Sequence, residues 1–183
     1  RIPSLNPILI LCSAPSAILV FSTLTTSLFL RIYYFGTNSV PMDYFLYSDE
    51  NKKKTLIALL VYLNKSDNRN HSNELKFIEE VAGHMGLGEE DVYDIRQGKQ
   101  DFEFTLPKME DERMMFFMHV IHLMRIDNVI APEEEHVAHE IGLRLGISSM
   151  LVSDLIRDYR HEIATGQKIS ASHVEGTIKK YLN

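Results

Sequence analysis

The chain has 183 residues, 45% of them apolar, with 19 Lys and Arg against 25 Asp and Glu. That length and apolar fraction suit one packed domain of ordinary size, with or without an appendage, and exclude general disorder. A net charge of −6 excludes the basic surface that nucleic-acid binding needs, and the single Cys12 excludes an intramolecular disulfide framework and any all-cysteine zinc site.

Charge is unevenly spread. The 29 residues between Arg1 and Arg31 carry none, which leaves 17 basic against 25 acidic residues, a balance of −8, for residues 32–183. Residues 8–30, ILILCSAPSAILVFSTLTTSLFL, form an uncharged run of 23 that is long enough to cross a bilayer. Tyr33, Tyr34 and Phe35 follow where an interfacial aromatic belt would sit, and Arg31, Lys52, Lys53 and Lys54 place the remainder of the chain on the cytoplasmic side. Against an anchor stand Pro15 and seven Ser/Thr between Ser13 and Ser27. Met42 also opens MDYFLYSDENKKK, a natural start that would make residues 1–41 upstream sequence. Both readings stay open: residues 1–41 are an apolar segment, either a membrane attachment or a non-native extension, and residues 42–183 are the folded domain. The expected location is the cytoplasm, tethered to the inner face of a membrane if the anchor is real.

From about Glu50 the apolar spacing is helical. Leu56, Leu59, Leu60 and Leu63 mark a first helix; Leu75, Ile78, Val81, Ala82 and Met85 a second, stopped by Gly86; Val92 and Ile95 a short third, stopped by Gly98. After Pro107 comes a Met- and Phe-rich fourth over Met114 to Met124. Val137, Ile141 and Leu145 mark a fifth that ends at Gly146, and Leu151, Leu155, Ile156 and Tyr159 a sixth. Thr165 and Gly166 break the pattern before a seventh with Val174, Ile178 and Tyr181. No strict alternation predicts a strand. The expected fold is an all-α bundle of about seven helices.

A shift of 60 residues lays LNKSDNRNHSNELKFIEEVAGHMGL (Leu63–Leu87) over LMRIDNVIAPEEEHVAHEIGLRLGI (Leu123–Ile147). Identities fall at Leu63/Leu123, Asp67/Asp127, Asn68/Asn128, Glu74/Glu134, Glu80/Glu140, Gly86/Gly146, Val92/Val152 and Asp94/Asp154. Two helix–turn–helix units of this kind can cover each other's apolar faces. Each turns at Asp-Asn, where Asn suits a residue at positive φ, and each places a Glu in the next helix's first turn, where an acid complements the helix dipole. Asp67 and Asp127 can accept hydrogen bonds from turn amides, and Pro132 fits a first helical position. That reading explains the four acids without a ligand. If the units pack about a pseudo-twofold axis, Asp67, Glu74, Asp127 and Glu134 approach one another, and such a set of oxygen donors suits Ca²⁺ or Mg²⁺. No EF-hand loop is present.

This repeated Asp-turn-Glu unit resembles the tellurite-resistance TerB-like family over about residues 50–165. The family's turn is Asp-Gly, then an apolar residue two positions on, then a Glu-rich helix start. MRIDNVIAPEEEHVAHEIGLRLGIS (Met124–Ser148) is similar to it with Asn128 in the Gly place. KSDNRNHSNELKFIEEVAGHMGLG (Lys65–Gly88) follows it less closely, with Asn70 where its partner has Ile130. The resemblance implies an acidic all-α binding or scaffolding module of a stress or tellurite-resistance response. It implies protein partners, membrane association and divalent-cation binding at Asp67, Glu74, Asp127 and Glu134. DnaJ-type membrane co-chaperones share the domain, but their His-Pro-Asp tripeptide is absent here, so co-chaperone activity is not implied.

The alternative is a zinc-dependent hydrolase built on His119 and His122 of one helix and His136 and His139 of another, each pair sharing a face. HVAHE is neither H-E-x-x-H nor H-x-x-E-H, and no nucleophile elbow, P-loop or Gly-rich dinucleotide turn occurs, so no enzyme is expected. Met109, Met114, Met115, Met118 and Met124 read as core packing, with a peptide groove as the other use of such a cluster. The acidic runs Glu110-Asp111-Glu112 and Glu133-Glu134-Glu135 read as solvated helix starts.

Overall fold

The computed structural model describes residues 49–67, 72–99 and 101–181, and its described residues form seven α-helices and no strand. In chain order they are α1 (Glu50–Asn64), α2 (Ser72–His84), α3 (Glu89–Arg96), α4 (Glu110–Met124), α5 (Pro132–Arg144), α6 (Ser149–Thr165) and α7 (Ala171–Lys179). The all-α expectation and its seven helices hold. No helix among the described residues is long and apolar enough to cross a membrane. The apolar run 8–30 lies outside them.

The two units repeat closely. Adding 60 to the limits of α1 gives those of α4, adding 60 to those of α2 gives those of α5, and the start of α3 maps onto that of α6. Burial repeats with them: Leu56/Phe116, Ile57/Phe117, Leu60/Val120, Leu63/Leu123, Val81/Ile141, Met85/Leu145, Val92/Val152 and Ile95/Leu155 are core pairs. The helix stops repeat too. Gly86 and Gly146 stand at φ +76° and +72°, and in each the next residue's N–H donates five residues back, Leu87 to the Ala82 carbonyl and Ile147 to that of Gly142. This closure needs a residue at positive φ and satisfies carbonyls the helix leaves open. The third helices differ: α3 has 8 residues and α6 has 17, and α7 has no counterpart.

The halves face each other through α1 against α4, with α1 also on α5 and α2 on α4. Reciprocal contacts of that kind are what a pseudo-twofold arrangement gives. At the axis of such an arrangement a residue meets its own equivalent. Lys52 and Glu112, 60 residues apart, do so: the Lys52 ammonium lies 2.9 Å from a Glu112 carboxylate oxygen.

The connection between the halves returns along α1. The Thr105 N–H donates to Thr55 Oγ1 at 2.8 Å, and the Glu103 N–H to Asn51 Oδ1 at 3.3 Å. Helix α7 closes the far side on α6. It buries Val174 and Ile178, and the Tyr181 hydroxyl donates to Asp154 Oδ2 at 2.7 Å.

The methionine expectation divides. Met114, Met115, Met118 and Met124 are core, whereas Met109 is 66% exposed. Leu75 is half-buried rather than core, and its neighbour Glu74 takes the interior place at 1% exposed.

Candidate functional site

The second Asp-Asn turn has the predicted geometry. Asn128 is the one non-glycine residue at positive φ (60°) among the described residues, and Asp127 Oδ1 accepts from the Val129 N–H at 2.9 Å. Ile130 tucks partly into the core behind the turn. Pro132 opens α5, and Glu134 reaches back to accept the Ala131 N–H at 2.8 Å, so the acid closes the helix start that its own backbone begins. Asn68 and Asn70 of the first turn lie outside the described residues. Asp67 at its edge is half-buried.

Both first-turn glutamates are interior. Glu134 is 4% exposed and Glu74 1%, which corrects the reading of Glu133-Glu134-Glu135 as a solvated run: only Glu133 is open to solvent, and Glu135 pairs with Arg160 at 2.7 Å. The physical reason is helical phase. Glu134 precedes Ala138 and Ile141 by four and seven residues, and Glu74 stands in the same relation to Ile78 and Val81. Glu74 Oε2 accepts from Asn64 Nδ2 at 2.7 Å in the interior, a donor replaced by Met124 in the second unit.

The four predicted acids are electrostatic neighbours. The Glu134 carboxyl is pushed up to about 7, first by burial and then by the negative charges of Glu74, Asp127 and Asp67, against the lowering effect of the Ala131 N–H. Two of those three charges belong to the other unit. Acids from both units therefore act on one carboxyl.

No three His, Cys, Asp or Glu side chains among the described residues already stand where they could hold a metal ion. The acids are hard-oxygen donors of the type Ca²⁺ and Mg²⁺ prefer. Turning toward an ion would take Glu134 out of its helix-start hydrogen bond and require loss of its proton.

The four histidines have four different surroundings. His119 is 0% exposed, at the core position that Leu59 fills in the first unit, with Nδ1 2.8 Å from the Met115 carbonyl. His122 lies against Phe77, ring centroids 4.9 Å apart. His136 is exposed beside Tyr62 and Lys65, and His139 stands near the hydroxyls of Ser149 (3.3 Å) and Ser153 (3.5 Å).

No family model, curated protein or solved structure matches the chain.

Asp127→Ala is expected to cost about 1 kcal/mol, the scale of a lost capping acceptor. Urea denaturation at pH 5, where Glu134 is protonated and repulsion at the corner is weak, isolates that cost. An unchanged midpoint would mean that Asp127 does not anchor the turn.

Proposed function

We propose that the chain is a TerB-like binding module, non-enzymatic, whose paired Asp-Asn turns present an acidic corner to a hard divalent cation, Ca²⁺ or Mg²⁺. Asp67, Glu74, Asp127 and Glu134 supply the oxygens. The TerB-like resemblance sets this module in a stress or tellurite-resistance response, with a protein partner as what the loaded corner acts upon. The observation that carries the reading is the raised Glu134 carboxyl, since burial and three acids from both turns act on this one group.

A carboxyl near pH 7 makes cation binding compete with a proton. Cation binding favours the deprotonated ligand, so affinity rises with pH through that range. With Glu134 at about 7, binding is expected to be about tenfold weaker at pH 6 than at pH 8. Calorimetric titration of Ca²⁺, Mg²⁺ and Zn²⁺ at the two pH values tests this. Flat traces for all three ions at pH 8 would reduce the four acids to turn chemistry, and Zn²⁺ alone binding would favour the imidazoles.

A further inference from the structure

The repeat supplies its own control for reading the surface. In the first unit, the corner where the starts of α1 and α3 meet the end of α2 is charged and satisfied. Asp49 accepts the Asn51 N–H at 2.9 Å, and the Lys54 ammonium pairs with Glu50 at 3.1 Å and Asp91 at 3.2 Å. Gly83 and Glu90 complete it. Adding 60 turns Asp49, Lys54, Gly83, Glu90 and Asp91 into Met109, Met114, Leu143, Met150 and Leu151. The helix starts are the same; Glu50 is kept as Glu110, but Asp49, Lys54, Glu90 and Asp91 all give way to apolar residues.

Three of these replacements are not buried. Met150, Met109 and Leu143 are 67%, 66% and 64% exposed, the three most exposed large apolar side chains among the described residues. Leu143 lines, and the other two adjoin through Glu110 and Ser149, a groove of about 410 Å³ between α4, α5 and α6, closed at one side by Tyr181. Core packing does not require exposed Met and Leu here, since the first unit folds with Asp49, Gly83 and Glu90 in the same places.

The groove also holds a cation. Arg113 lies against the turn at Gly146, where an added Cβ would stand 3.2 Å from Nη1. Arg113 has no ion-pair partner among the described residues, although Glu110 lines the same groove. Apolar walls around an arginine complement a ligand that is apolar with one acid.

The geometry points to this groove as the docking site for a short protein segment in which apolar residues flank a single Asp or Glu, the apolar side chains covering Met109, Leu143 and Met150 and the carboxylate facing Arg113. Exposed apolar clusters of this kind mark interaction surfaces, and an arginine presents the planar donor fork that a carboxylate fits. This goes beyond the cation reading and stands independently of it, because the groove shares no residue with the acidic corner.

The test is selection of a random dodecapeptide display library on the full chain, followed by fluorescence anisotropy with the enriched peptides. The expected winners carry one acid between apolar residues. Leu143→Glu and Met150→Glu are expected to weaken them at least tenfold, with thermal melting unchanged because both side chains face solvent. Arg113→Gln is expected to remove the preference for the acidic peptide over its Gln variant. Three outcomes would overturn the proposal: no enrichment, peptides that bind all variants equally, or self-association in sedimentation that Leu143→Glu abolishes. The last would make the groove an interface between copies of the chain.

Discussion

Lowering the pH from 7 to 4 is expected to remove up to about 3 kcal/mol of stability through His119, and His119→Phe is expected to remove that loss. The ring occupies a fully buried place, and burial first, with the neighbouring His122 adding to it, lowers its pKa to about 4 despite the hydrogen bond to Met115. Since the Met115 carbonyl can only accept, Nδ1 carries the proton of the neutral ring. The sign follows from linkage. In the unfolded chain the imidazole binds a proton below about 6.5 and in the folded protein only below about 4, so the unfolded state holds more protons in that window. Stability is therefore full above pH 6.5 and falls as pH drops toward 4. His122, lowered to about 4 by burial and then by Arg125, adds in the same direction. Urea denaturation from pH 7.5 to 4.5 should show the His119→Phe profile flatter than the wild type, whatever constant offset the added ring volume brings. Parallel profiles would mean that another group carries the acid limb.

Glu134→Gln acts with the opposite sign. The folded carboxyl holds its proton up to about 7, the unfolded one only to about 4.5. Between those values the folded state binds more protons, and wild-type stability falls as pH rises. Glutamine keeps an oxygen for the Ala131 N–H and removes the charge. The variant is expected to be more stable than the wild type at pH 8, by at most about 3 kcal/mol, and equal to it near pH 4.5. Because the glutamate and histidine contributions oppose each other between pH 4.5 and 6.5, the variant should also lose stability more steeply on acidification. Loss of stability at pH 8 would show instead that the Glu134 charge is held favourably.

Much of this was legible because both copies of the repeat are present in one chain. A single Asp-Asn turn is weak, but Gly86 with Gly146 and Leu63 with Leu123 at one offset mark the same helix stops and core positions in both units. Glu74 and Glu134 stand out as candidates in the sequence, but Glu134 reads there as part of a solvated run and Glu74 only as a helix-start acid, whereas both are interior. Leu75 drew the apolar face one position along, although the spacing Glu74, Ile78, Val81, Met85 carries the interior stripe. Polarity at a core position reads as a helix start when only composition is weighed, and the repeated acid at that phase was the available signal. The interior place of His119 was equally hidden, since a helix buried almost all round has no polar face against which to judge one ring. The apolar character of this corner is legible in the sequence, where Met109 and Met150 stand in place of the charged Asp49 and Glu90 and Leu143 in place of Gly83, while their exposure is a finding of the structure.

The central claim is that acids from two copies of one folded unit act on one carboxyl. Carbon-detected NMR titration of the Glu134 side chain tests it most directly, in the wild type and in Asp67→Asn and Glu74→Gln, whose changes lie in the other unit. The account predicts a midpoint near 7 in the wild type that moves toward ordinary glutamate values in each variant. A wild-type midpoint in the ordinary range, indifferent to both substitutions, would contradict it.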